Sequence, residues 1–186
     1  MKRSWSSVSA RTLVALVLAT VAAISGTTVA LASSSAPAGG AFRVFGVSTG
    51  LGGGGTILVT GAIGDHGHSE SVTKSGQVNQ NGSYVKLTLS QGTLTLNKTA
   101  LDNAINRQFG KAAPNQATCS LSAAASGNLP FVSGTGLYAG ATGSAHITVA
   151  VGFILPRKNG KCDTANSATP TASQQIVFGA GSVSFN

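Results

Sequence analysis

The sequence predicts an all-β fold, an eight-stranded, mostly antiparallel barrel with one short helix. Three observations carry that expectation. Residues 142–154 alternate without a break, with Gly143, Ala145, Ile147, Val149, Val151 and Phe153 on one face and Ser144, His146, Thr148, Ala150 and Gly152 on the other. A period of two over that length is the signature of a strand with one buried side. Seven more short segments share the alternation and are separated by turn signals, and a single segment has helical spacing.

Taken in order, residues 41–48 (AFRVFGVS) form the first strand and run into a glycine loop, LGGGG, at 51–55. Residues 56–63 (TILVTGAI) and 69–74 follow as the second and third strands. Asn81-Gly82 is a strong hairpin dipeptide and opens the strand 83–90, in which Val85, Leu87 and Leu89 share a face. Gln91-Gly92 turns the chain into 93–97 (TLTLN). Residues 118–125, 142–154 and 173–185 complete the count, and an antiparallel sandwich or barrel is the architecture that such glycine-punctuated strands favour. The expected interior is Leu87, Leu89, Leu121, Ile147, Val149, Val151 and Phe153.

The helical segment is residues 99–109 (TALDNAINRQF), with Leu101, Ala104, Ile105 and Phe109 on one side. Thr99 is placed to cap it, Asp102 stands in the capping-box position, and Gly110 ends it ahead of Pro114. Such a helix would close one end of a barrel.

Residues 1–32 read as a signal peptide. Lys2, Arg3 and Arg11 precede an apolar run at 13–24, and Ala30-Leu31-Ala32 offers a small-x-small cleavage pattern. The run is 12 residues, well short of the roughly 20 that a spanning helix needs, so no stable membrane insertion is expected after cleavage. Residues 33–40 (SSSAPAGG) form a flexible linker and 41–186 the barrel domain. A secreted protein is the expected product.

Loss of the leader removes three cations and the only Trp, leaving nine Lys or Arg against Asp65, Glu70, Asp102 and Asp163. The mild positive balance suits an anionic cell-surface polymer. It is too diffuse for a nucleic-acid groove, since the one cluster, Arg157-Lys158 with Lys161, has no aromatic among it. Cys119 and Cys162 are the two cysteines, and in an exported chain an even count implies one disulfide.

Candidate chemistry is sparse. In Asp65-His66-Gly67-His68-Ser69-Glu70 an extended backbone would put His66, His68 and Glu70 on one face as weak metal-ligand candidates, with His146 the one later histidine. A polar turn between two strands is the other reading of that segment. Tyr84, Tyr138 and His146 each pair an apolar body with a polar tip, which suits a pocket rim; Asp65 joins them as a candidate ligand contact. The competing placement sets Tyr84 on the outer face with Lys86 and Thr88, and His146 outside with Ser144 and Thr148. No catalytic residue is assigned, no G-x-S-x-G elbow occurs, and neither a metal nor a redox cofactor is expected.

The run Gly134-Thr135-Gly136-Leu137-Tyr138-Ala139-Gly140-Ala141-Thr142-Gly143 resembles the allene oxide cyclase/dirigent-like barrel superfamily, in which a Gly-Thr-Gly turn leads through small residues into a long strand. Across the mature chain the resemblance is closest to small secreted actinobacterial proteins of that fold, through Gly61-Ala62-Ile63-Gly64-Asp65-His66-Gly67, residues 84–100, Ile154-Leu155-Pro156-Arg157 and Gly160-Lys161-Cys162. It implies an eight-stranded barrel with a small apolar interior. Plant relatives use theirs to cyclise a fatty-acid epoxide or to orient coupling radicals, by means of cavity carboxylates that have no residue-by-residue match here. The leading functional expectation is a secreted barrel that binds a small apolar ligand or acts at the cell surface. The alternatives are a cofactor-free isomerase or coupling director, and a cupin-like metal-binding protein.

Overall fold

The computed structural model describes residues 38–49, 54–165 and 167–186. The signal peptide, most of the linker and residues 50–53 of the glycine loop lie outside the described residues. Eight strands close into a barrel: β1 (Gly40–Thr49), β2 (Gly55–Gly61), β3 (Asp65–Val72), β4 (Tyr84–Leu89), β5 (Gly92–Asn97), β6 (Ser120–Gly134), β7 (Ala141–Ile154) and β10 (Ala172–Phe185). The order around it is β1-β10-β7-β6-β5-β4-β3-β2, and every pairing is antiparallel. Between β7 and β10 the chain makes a small hairpin, β8 (Arg157–Lys158) with β9 (Lys161–Cys162), and α1 (Thr99–Phe109) joins β5 to β6.

The alternation read from the sequence is the inside–outside alternation of the wall. Phe42, Val44, Ile57, Val59, Leu87, Leu89, Leu94, Leu96, Leu129, Ala145, Ile147, Val149, Val151 and Val183 are buried in one core. Leu121 and Phe153, also expected inside, are half-buried. They stand where β6 and β7 run on past the helix, and Phe153 stacks on Phe109 with ring centroids 5.4 Å apart. The outer wall carries exposed Phe45, Leu58 and Phe178, with Phe45 directly opposite both of the others.

Two strands differ from expectation. The third starts at Asp65, four residues earlier than expected, so the Asp-His-Gly-His segment is strand and not turn. Its inward positions are Asp65, Gly67, Ser69 and Ser71, which give no apolar alternation to read. The sixth extends to Gly134, past Pro130, which lies where pairing with β7 ends (Pro130↔Ser144) and pairing with β5 begins (Phe131↔Leu96). At that handover a missing N–H costs little of either ladder.

The helix lies against β6 because Gly127 has no side chain. A Cβ there would stand 2.7 Å from the backbone of Leu101, whose own side chain enters the core. The helix start also differs from expectation. Thr99 is the first helical residue, its N–H bonded to the Asn97 side chain at 2.9 Å. Asp102 is drawn away from any capping-box role by Lys98, whose Nζ donates to both carboxylate oxygens at 2.8 and 2.7 Å. Gly110 ends the helix in a right-handed conformation.

Candidate functional site

Antiparallel closure gives the barrel two unlike ends. The β2–β3, β4–β5 and β6–β7 connections meet at one; α1, the β3–β4 loop and the β8–β9 hairpin gather at the other.

The first end is sealed by the glycine motif. Gly136 has φ +60° and Gly134 lets the Tyr138 carbonyl lie directly over its Cα, where any Cβ would collide with it. This folds 136–138 into one 3-10 turn and drives Tyr138 into the barrel, where it is fully buried. Its hydroxyl donates to Asp65 Oδ2 at 2.6 Å. The same oxygen accepts the Gln91 N–H at 3.1 Å. Oδ1 accepts the His66 N–H at 2.6 Å and the Ser90 hydroxyl at 2.6 Å, with the Ser90 N–H at 3.3 Å. Burial alone would raise the Asp65 carboxyl, but hydrogen bonds from Ser90, Tyr138, His66 and Gln91 outweigh it and hold the group far below the usual carboxylate range. Burial, followed by the bond to Asp65 and its charge, pushes the Tyr138 phenol well above its usual value. At neutral pH the pair is therefore an anion and a protonated phenol. Neither is poised near neutrality, as a general acid or base would be.

The second end opens into the interior. A cavity of about 540 Å³ runs down from it, walled by Phe42, Val44, Ile57, Val59, Leu87, Leu94, Leu96, Leu129, Phe131, Ile147, Val149 and Val177. Leu101, Ile105 and Phe109 on α1 form part of the same lining. Polar side chains ring the mouth: Ser69 and Ser71 from β3, Gln80 and Asn81 from the β3–β4 loop, Lys98, Asp102 and Asn106 from the helix region, and Gln175 from β10. A wider and shallower depression, bordered by Ala112, Asn115, Leu121, Phe153 and Ser173, lies beside it on the extended strands.

The residues singled out in the sequence divide between these places. Tyr138 and Asp65 come together, but at the sealed end, where they plug the barrel and do not line the cavity. Tyr84 is half-buried and His146 exposed, both on the outer wall. His66 and His68 are exposed on the outer face of β3, and Glu70 on that face is bonded to Lys86 Nζ at 2.6 Å. His146 cannot join them, since β3 and β7 are four strands apart in either direction around the ring. Among the described residues no three His, Cys, Asp or Glu side chains cluster as metal ligands.

Cys119 and Cys162 are joined, with Cα atoms 5.3 Å apart. The bond ties the start of β6 to β9. Arg157 reinforces it by donating to the carbonyls of Gln116, Ala117 and Gly160. Both attachments stand at the open end. Among the described residues no helix is long and apolar enough to cross a membrane.

The sequence alone does not mark the residues at the cavity mouth as a group. Lys98 and Asp102 carry one readable signal, opposite charges four positions apart at a helix start. Nothing local marks Gln80, Asn81 or Gln175. Comparison with protein-family models, curated proteins and solved structures finds no match to this chain.

Proposed function

We propose that this protein is a secreted β-barrel that holds a small apolar ligand in its interior, in the manner of a binding module. The observation that carries the reading is the cavity: about 540 Å³, apolar along its depth, with its polar lining gathered beside α1. Volumes of a few hundred cubic ångströms with apolar walls and a few polar groups are what small-molecule sites require. The disulfide supports the export half of the reading, because such bonds persist in oxidising compartments. The proposal keeps the resemblance to the allene oxide cyclase/dirigent-like superfamily as its fold-level background.

Binding is favoured over a cofactor-free isomerase by the state of the carboxylates. Among the described residues Asp102 is the one acid lining the cavity, and both of its oxygens already accept from Lys98. A metal-centred reading has less support, since His146 stands four strands away from His66 and His68 on the outer wall.

The test is titration with N-phenyl-1-naphthylamine, a neutral probe that fluoresces in apolar surroundings. Saturable binding at one site per chain, lost in Val149→Phe with the thermal melt retained, is the expected result. Equal binding by that variant would show that the probe sits elsewhere and would remove the reading.

A further inference from the structure

We propose that the ligand is an uncharged amphiphile, an apolar body carrying one hydrogen-bonding end such as an alcohol or ketone, held with that end at the mouth beside α1. The inference rests on the cavity reading above and adds the chemistry of the head group. Two features of the mouth decide it.

The first is its charge. Among the described residues, Lys98 and Asp102 are the only charged side chains lining the cavity, and each is committed to the other through two short bonds. The mouth is electrically balanced before anything arrives. A carboxylate brought to Lys98 would also meet the like charge of Asp102, and an ammonium brought to Asp102 would also meet that of Lys98, so neither head finds an unopposed partner. Drawing the pair apart to serve either head would leave a charge only 15% (Lys98) or 33% (Asp102) exposed without its partner, and breaking such a half-buried pair is costly. The tethered partner also competes at the high effective concentration of an intramolecular group. An uncharged head meets no such competition.

The second is the distribution of polarity. The remaining polar side chains of the cavity, among them Ser71, Asn106 and Gln175, are hydroxyls and amides gathered at the mouth. Toward the sealed end the lining is aliphatic and aromatic, and the Asp65–Tyr138 bond beyond it is already complete. A ligand with polar groups at both ends would bury one of them without a partner. One polar end pointing outward satisfies the whole surface.

The experiment is displacement of N-phenyl-1-naphthylamine from the purified protein at pH 7 by three ten-carbon compounds: decan-1-ol, decanoate and decylamine. Decanol is expected to compete at least tenfold more tightly than either charged compound. In Asp102→Asn, which leaves Lys98 unpaired, the preference should move at least tenfold toward decanoate. In Lys98→Met it should move likewise toward decylamine. Each preference is a ratio within one protein, so a loss of folded material does not alter it. Were either variant not to fold, the wild-type ratio would still decide the matter. Decanoate or decylamine competing as well as decanol would overturn the head-group assignment while leaving the cavity reading intact. Failure of the naphthylamine itself to bind would remove both.

Discussion

The Tyr138 hydroxyl meets Asp65 Oδ2 at 2.6 Å across 73 positions of sequence. One residue comes from the turn before β7 and the other opens β3, on opposite sides of the ring. The bond therefore ties two halves of the wall at the end opposite α1. Removing the hydroxyl in Tyr138→Phe leaves a buried carboxylate one donor short. The expected loss is about 1–3 kcal/mol, read as a lower urea midpoint with an unchanged slope.

The same pair sets a pH window. Asp65 titrates lower in the fold than in the unfolded chain, because its hydrogen bonds outweigh burial. Its contribution is complete above the unfolded value, about pH 4, and is lost as pH falls below it, where the unfolded chain takes up the proton first. Tyr138 titrates higher in the fold, through burial and its bond to Asp65. Its contribution is complete below about pH 10 and is lost as pH rises beyond. Thermal melts against pH should show the acid slope reduced in Asp65→Asn and the alkaline slope reduced in Tyr138→Phe.

Gly127→Ala should lift α1 from β6, because the added methyl meets the Leu101 backbone and not a side chain that can swing away. A destabilisation of about 1–3 kcal/mol is expected for such overpacking. Hydrogen exchange should show it concentrated in residues 99–109, with the sealed end unaffected.

The Cys119–Cys162 bond closes a loop of 43 residues in sequence separation, and its loss in Cys119→Ser/Cys162→Ser should cost about 2–4 kcal/mol. In the parent protein neither cysteine should take up iodoacetamide before reduction. A melt unchanged in the double variant would show that Arg157 alone holds the hairpin.

Much of the architecture is legible because it repeats. Period two marks β4, β5, β7 and β10, and the three-and-four spacing of Leu101, Ala104, Ile105 and Phe109 marks α1. What escapes is what the period does not encode. The start of β3 is hidden by inward Asp65, Gly67, Ser69 and Ser71, polar or small residues that face a plug and a cavity mouth instead of a dry core. The end of β6 is hidden by Gly127 and Pro130, which look like breaks and serve as a helix seat and a handover between ladders. The Asp65–Tyr138 bond has no local trace, since each residue reads as part of its own turn. The charges of Lys98 and Asp102 stand four apart in the sequence, but only the closed ring places that pair on the rim of the interior.

A ring shut at one end has a consequence for traffic. A ligand of the proposed kind that enters past α1 would leave by the same route, with its other end leading. A barrel holding a ligand in this way would serve as a vessel and not a conduit.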